Sequence, residues 1–99
     1  MDEIETFLST KCIGKKNAVK SSVLESMFQL KGSEVRKIIN RIRCNGQPIC
    51  SGSTGYYYAS TEADIRKTIR NLNGRIAKIN AAKNGLQNSI RTKKENQHV

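Results

Sequence analysis

The C-terminal third of the chain carries apolar residues at alternating intervals of four and three, and this spacing limits the possible folds more than any other feature. The residues are Ile65, Ile69, Leu72, Ile76 and Ile79. An α-helix brings residues at this spacing onto one face, here called the apolar stripe, so a helix is predicted from Thr61 to about Asn84. If the rhythm continues to Ile90, the stripe is about 26 residues and ~39 Å long, which exceeds the ~26–30 Å width of a domain of this size. Part of it must then extend beyond its own core.

The extended rhythm is a heptad repeat. Its a positions are Ile69, Ile76, Lys83 and Ile90, and its d positions are Ile65, Leu72, Ile79 and Leu86. Isoleucine at a with leucine at d favours parallel two-stranded packing, and one polar a residue such as Lys83 can fix the register. We therefore expect a homodimer formed through the apolar stripe. The alternative is that the stripe packs against the core of its own chain.

The sequence leaves two alternatives for where this helix ends. Gly74 and Gly85 each cost ~1 kcal/mol in a helix interior, and Asn84-Gly85 is also typical of a helix C-terminus. From Arg91 the sequence is polar. We expect a domain in residues 1–60, an amphipathic helix in residues 61–90 and a disordered tail in residues 91–99.

The net charge of the chain is +10, from 18 Lys and Arg against 8 Asp and Glu in 99 residues. This length is typical of one domain, and the positive surplus favours a polyanionic partner such as nucleic acid. No apolar run reaches the ~18 residues of a membrane span, and the acidic N-terminus differs from a secretory signal. Cys12, Cys44 and Cys50 lack metal-ligand spacing. They indicate free thiols and a cytoplasmic protein.

The composition argues against an enzyme. The single histidine, His98, lies next to the C-terminus, where a chain usually frays and cannot hold a catalytic arrangement. The carboxylates are few and dispersed, with no pair suited to acid–base catalysis, and no glycine-rich phosphate loop is present. We expect no catalytic residue, metal, cofactor or small-molecule substrate.

The first 30 residues contain two short helical patterns. Apolar residues at i, i+3 and i+4 predict a helix from Asp2 to about Thr10, followed by the polar loop KKNAVK. A dense apolar face predicts a second helix within Ser21–Leu30. Ser22 and Glu25 have the spacing of a capping box, which predicts a helix start near Ser22.

A third helical pattern follows after a short break at Lys31-Gly32. Its apolar residues are Val35, Ile38, Ile39 and Ile42, and its opposite face carries Arg36, Lys37, Asn40, Arg41 and Arg43. Asn45-Gly46 predicts the end of the helix. Two helices separated by a short break, the second aliphatic on one face and basic on the other, are typical of a helix-turn-helix.

Residues 48–59 predict a β-hairpin. Two short β-forming runs flank Gly52–Gly55, which we interpret as a four-residue loop. Strand alternation places Tyr56 and Tyr58 on one face and Tyr57 on the other. We expect Tyr56 and Tyr58 to close the core and Tyr57 to be exposed.

The run EVRKIINRIRCNGQPICSGSTGYYYA resembles the winged-helix DNA-binding domain of the biotin operon repressor type, and most closely its small stand-alone versions from phages and mobile elements. The resemblance covers about residues 20–60. Gly32–Cys44 resembles the recognition helix, and Pro48–Ala59 resembles the wing, with the family's G-Y-x-x-A at Gly55, Tyr56 and Ala59. One departure is Gln29, near the place where many helix-turn-helix motifs carry glycine. The fold class implied is mainly α with a small β-hairpin: a winged helix-turn-helix followed by a long C-terminal helix.

The resemblance implies double-stranded DNA binding without biotin chemistry. The residues expected to enter the major groove are Ser33, Arg36, Lys37, Asn40 and Arg41. Arginine suits guanine and asparagine suits adenine. Those expected at the phosphates or in the wing are Lys15, Lys16, Lys20, Lys31, Arg43, Ser53, Thr54 and Tyr57.

The function expected from the sequence is sequence-specific or semi-specific DNA binding by a transcriptional regulator or replication accessory protein of phage or mobile-element origin. A second possibility is a protein-binding module that uses the same scaffold to grip a host protein or a nucleoprotein complex, because one fold serves unrelated functions.

Overall fold

The computed structural model describes residues 3–97, and the side chains of residues 3–92. Asp2 and His98, which entered the sequence predictions, lie outside these ranges. The elements are helices α1 (Glu3–Lys11), α2 (Ser21–Phe28), α3 (Gly32–Cys44) and α4 (Glu62–Gln97), and strands β1 (Ile49–Gly52) and β2 (Gly55–Tyr58). The predicted fold class is confirmed: the chain is mainly helical, with one hairpin before a long C-terminal helix. The chain divides into two compact units, Met1–Thr68 and Ile69–Val99.

The core of the first unit is built from the apolar faces of α1, α2 and α3 together with β1. Its buried residues are Ile4, Leu8, Cys12, Leu24, Val35, Ile39, Ile42 and Ile49. Phe7 of α1 meets Phe28 of α2 edge to face, with ring centroids 6.2 Å apart. The periodic apolar residues of each predicted helix therefore meet in one place.

α2 starts within one residue of the predicted position, but the predicted capping box is not formed. The helix begins at Ser21, with Lys20 as its N-cap, so Ser22 lies inside the helix and forms no capping box. Glu25 accepts a hydrogen bond from the hydroxyl of Ser21 at 3.1 Å. The side chain of Glu25 therefore bonds a residue one turn earlier in the helix and does not take part in a capping box.

The turn between α2 and α3 uses a left-handed residue without glycine. Gln29 has φ 53° and donates its backbone N–H to the carbonyl of Glu25. This is the position at which the sequence departs from many helix-turn-helix motifs, and the residue takes the conformation that glycine adopts most readily. α3 then begins at Gly32 and ends at Cys44, as predicted, with Gly46 at φ 88° just after its end.

The hairpin has a two-residue turn, so the predicted four-residue loop is wrong. Gly52 pairs with Gly55, which leaves only Ser53 and Thr54 between the strands. The other edge of β2 is paired as well. The segment predicted as a polar loop contains a 3-10 helix at Lys15–Asn17 and then returns along β2.

Val19 joins this returning segment to β2. Its backbone exchanges two hydrogen bonds with Tyr56, at 2.8 and 2.7 Å. Tyr58 bonds the same stretch of chain through the carbonyl of Cys12 and the N–H of Gly14. The edge of β2 that faces away from β1 is therefore hydrogen-bonded to the chain before α2.

The prediction for the three tyrosines is reversed at Tyr57. Tyr56 and Tyr58 are half-buried against the core, whereas Tyr57 is buried, with 3% of its surface exposed. Tyr57 pairs with Cys50 across the hairpin. Thr68 in the second turn of α4 is buried too, and its hydroxyl accepts the N–H of Ser51 at 3.4 Å. The first turns of α4 therefore cover the hairpin face that carries Tyr57, and the prediction of an exposed Tyr57 is wrong.

Burial on this face changes the ionisation of its thiol and phenol. Burial raises the pKa of the Cys50 thiol, and it also raises the pKa of the Tyr57 hydroxyl. Burial likewise raises the pKa of Cys12 in the core. All three groups are therefore held in their neutral forms at physiological pH.

α4 runs through Asn84 and Gly85, so these residues do not end the helix. It continues to Gln97, into the segment that the sequence predicts to be a disordered tail. None of the helices within residues 3–97 combines the length and the apolar character needed to cross a membrane.

Candidate nucleic-acid interface

The outer face of α3 carries the five residues predicted to read DNA. Ser33, Arg36, Lys37, Asn40 and Arg41 are all exposed. The residues on the opposite side of the helix, Val35, Ile39 and Ile42, are buried in the core. The core therefore holds the helix by its apolar side and leaves the polar side accessible from Ser33 to Arg41.

The charge of this face is positive. The only acidic residue in α3 is Glu34, which lies in the first turn and accepts the backbone N–H of Lys31 at 3.0 Å. A carboxylate is favourable there because the N-terminus of a helix is electropositive. The remaining turns expose Arg36, Lys37 and Arg41.

Gly32 creates space at the start of α3. Glu25 Oε1 and Arg36 Nη1 each lie 3.5 Å from the place that a Cβ of Gly32 would occupy. The carboxylate of α2 and the guanidinium of α3 thus both border the space left by the missing side chain of Gly32. This arrangement places the Arg36 guanidinium near the start of α3, beside the turn of the helix-turn-helix.

The four predicted phosphate-contacting lysines are exposed, and they precede or form short helical segments. Lys15 and Lys16 form the 3-10 helix, while Lys20 and Lys31 are the N-caps of α2 and α3. Unpaired N–H groups at helix starts favour anions, and a lysine beside them adds charge. These positions suit contacts with phosphate.

The hairpin turn lies close to the start of α2. The backbone of Gly55 lies against the backbone of Val19 and Lys20, and the turn residues Ser53 and Thr54 are exposed. The role predicted for their hydroxyls requires this exposure, and the lysine at the start of α2 supplies a nearby positive charge.

Two of the predicted site residues do not belong to this exposed surface. Arg43 is half-buried, and it donates from Nε to the carbonyl of Ile49 at 2.8 Å and from Nη2 to the hydroxyl of Ser51 at 3.1 Å. These bonds join α3 to β1. Tyr57 is buried, so its ring is not available to stack on a ligand.

The sequence prediction missed the basic residues of α4. Residues 62–97 contain nine Lys and Arg against three Asp and Glu, so more than half of the net charge lies on this helix. Lys67, Arg70 and Lys78 are exposed. A charge count for each predicted element would have revealed them, because the count needs no tertiary information.

The apolar stripe of α4 is partly covered at its beginning and exposed farther along. Ile65 and Leu72 are half-buried, whereas Ile76 and Ile79 are 55% and 67% exposed. Leu86 and Ile90 are exposed as well. Contiguous exposed aliphatic side chains of this kind are typical of an interaction surface.

Within residues 3–92, whose side chains the structure describes, no group of three or more His, Cys, Asp or Glu side chains is placed to hold a metal ion. Comparison of the chain with protein-family models, with curated proteins and with solved structures finds no significant match.

Proposed function

We propose that this protein binds double-stranded DNA through a winged helix-turn-helix, with α3 as the recognition helix. The observation that carries the proposal is the two-sided character of α3. Its aliphatic side packs in the core, and its exposed side carries Arg36, Lys37, Asn40 and Arg41. A rigid helix with this composition fits the major groove, where arginine and asparagine pair with purine edges.

The surrounding lysines support the same function. Lys15, Lys16, Lys20 and Lys31 lie at the starts of short helical segments, and contacts of this kind orient a protein on the phosphate backbone without reading the sequence. The net charge of +10 adds a long-range attraction for a polyanion.

The biological role that we propose is transcriptional regulation or accessory work in replication, carried out in the cytoplasm by a homodimer. The support for the dimer is the exposed part of the apolar stripe on α4. A two-fold symmetric pair would present two recognition helices, which suits a site made of inverted repeats.

A fluorescence-anisotropy titration of the full chain with labelled random duplex tests DNA binding. We expect micromolar binding at about 50 mM salt that weakens by ~10³-fold or more at about 200 mM, if six or more phosphates are contacted. Selection of bound fragments from random duplex at physiological salt then identifies the preferred site. The absence of duplex binding at low salt would reject the proposal.

A protein-binding module is the second candidate, and one observation favours it. Val23 and Met27 lie one turn apart on α2 and are 43% and 50% exposed. An apolar pair on the first helix of the motif offers a small docking surface for a protein. This candidate predicts weak duplex binding that salt abolishes, together with specific capture of one protein that the Val23→Ser/Met27→Ser variant no longer binds.

A further inference from the structure

The side of α4 that carries the apolar stripe also has two charged residues at heptad positions. Counted from Ile69 at position a, Glu62 and Lys83 also occupy a positions, and both lie within the helix Glu62–Gln97. Position a contacts the partner helix in a two-stranded coiled coil. A second copy that packs on this stripe therefore has to accommodate one carboxylate and one ammonium group.

Parallel pairing in register is unfavourable for the charged side chains of Glu62 and Lys83. Each a residue would lie opposite its own copy, so Lys83 would face the partner's Lys83 and Glu62 would face the partner's Glu62. The parallel preference of isoleucine at a with leucine at d is also incomplete here, because two of the d residues, Ile65 and Ile79, are isoleucine.

We propose that α4 pairs with α4 of a second copy in the antiparallel orientation, with Ile76 level with the partner's Ile79. This inference rests on the homodimer included in the proposed function. The register places Lys83 beside the partner's Leu72, and the two Lys83 positions lie ~16 Å apart along the helix axis. Each lysine can then cover an aliphatic side chain with its methylene groups and keep its ammonium group in water.

The ends of the helix favour the same orientation. In this register Arg91 lies on the same flank as the partner's Glu62 and at about the same level. Glu62 is 75% exposed at its side chain and forms an ion pair with Arg66 at 2.8 Å, so its carboxylate remains accessible to a second cation. Antiparallel pairing also brings the positive end of each helix dipole near the negative end of the other.

The exposed aliphatic residues select this register among the antiparallel ones. It places Ile69 opposite the partner's Leu86 and Ile65 opposite the partner's Ile90, so every position of the repeat from 65 to 90 is covered. A shift of one heptad in one direction places Leu86 opposite the partner's Glu62 and Ile90 beyond the start of the partner's α4, although these residues are 69% and 57% exposed in the single chain. The opposite shift leaves Ile69 without an apolar partner.

Disulfide cross-linking between two cysteine variants tests the orientation. The background is the full chain with Cys44→Ser, because Cys44 is the exposed thiol and Cys12 and Cys50 are buried. An Ile69→Cys chain is mixed with a Leu86→Cys chain and oxidised mildly. The control is a mixture of a Lys67→Cys chain with a chain carrying Asn88→Cys. In the proposed register these two residues lie at the same level along the helix axis, as Ile69 and Leu86 do, but on the opposite face of the helix.

We expect the mixture of Ile69→Cys with Leu86→Cys to form about tenfold or more disulfide-linked dimer than the control mixture, since only close Cβ atoms can be bridged. Ile69→Cys alone should form little, because its two copies lie ~26 Å apart along the helix axis. Efficient self-linking of Ile69→Cys would overturn the antiparallel orientation, and equal yields in test and control would overturn the stripe as the interface.

This experiment is carried out without DNA, so its outcome is separate from that of the duplex titration. Strong linking between positions 69 and 86 in a protein that does not bind duplex would reject DNA binding and support the helix pairing. A protein that binds duplex but is monomeric, with no linking above the control, would overturn the helix pairing and leave DNA binding supported.

Discussion

The backbone of Gly55 lies so close to the carbonyl group of Val19 that a Cβ on Gly55 would overlap it. Gly55 has φ 119°, a conformation that side-chain-bearing residues rarely adopt. The contact exists because Val19 pairs with Tyr56, the next residue of β2. Glycine at this position therefore joins the segment before α2 to the hairpin, which gives a physical reason for the first residue of the G-Y-x-x-A run.

Gly55→Ala is expected to lower the free energy of unfolding by about 2–4 kcal/mol, because the backbone becomes strained and Val19 has to move. Gly52→Ala is the matched control, since Gly52 pairs with Gly55 and nothing lies within 4 Å of the place that its Cβ would occupy. Urea denaturation followed by circular dichroism measures both. Equal effects of the two substitutions would show that the contact with Val19 is not important.

Tyr57→Ala is expected to destabilise the protein by about 3–5 kcal/mol, as for a fully buried aromatic side chain. Tyr56→Ala should cost less, because Tyr56 is only half-buried. Thermal melts of the two variants give the order. A larger loss for Tyr56→Ala would contradict the burial of Tyr57 under the first turns of α4.

Stability is expected to fall as the pH rises above about 9, the ordinary pKa of a thiol. Burial raises the pKa of Cys50, so the folded state keeps a proton that the unfolded state releases, and this stabilising contribution is lost as the pH increases toward the folded pKa. Each such group contributes a slope of up to about 1.4 kcal/mol per pH unit.

Urea denaturation at a series of pH values, from about 8 to about 10.5, measures this dependence. Cys50→Ala should show a shallower decline, whatever its stability at the lowest pH. Cys44→Ser serves as the control because Cys44 is exposed, and its decline should match that of the parent chain. A decline in Cys50→Ala as steep as in the parent would exclude Cys50 as a cause.

Arg36→Ala/Asn40→Ala is expected to keep the fold and lose preference for the selected DNA site, at a cost of about 1–3 kcal/mol for each base contact. Lys15→Ala/Lys16→Ala should weaken binding to all duplexes alike and reduce the slope of log K against log salt by about 2. Anisotropy titrations on specific and random duplex separate these effects. Loss of affinity without loss of preference in the first variant would show that α3 does not read bases.

Ile76→Asp/Ile79→Asp is expected to convert a dimer into a folded monomer. Both side chains are more than half exposed in the single chain, so their replacement removes intermolecular burial worth ~1.5–3 kcal/mol for each residue and leaves the core intact. Ala77→Asp/Ala81→Asp places the same charges on the opposite face and should remain dimeric. Sedimentation equilibrium gives the masses, and a parent chain that is monomeric at high micromolar concentration would contradict the prediction.

The elements whose signals are local could be predicted from the amino-acid sequence alone. The apolar residues at Val35, Ile39 and Ile42, with Asn45-Gly46 after them, predicted the bounds of α3 as well as its exposed basic face. This was possible because helix periodicity and capping act within a few residues of each other. A long amphipathic helix starting at Thr61 was predicted for the same reason, and α4 begins at Glu62.

Which face of the hairpin is covered depends on tertiary packing. Strand alternation places Tyr57 on the face opposite Tyr56 and Tyr58, but it does not show which of the two faces is buried. Thr68, which lies well beyond the hairpin in the sequence, buries the face that carries Tyr57 and Cys50. The same limit applies to Arg43, because its two bonds to β1 depend on how α3 packs against the hairpin. Contacts between residues distant in sequence, which no local pattern encodes, made these choices.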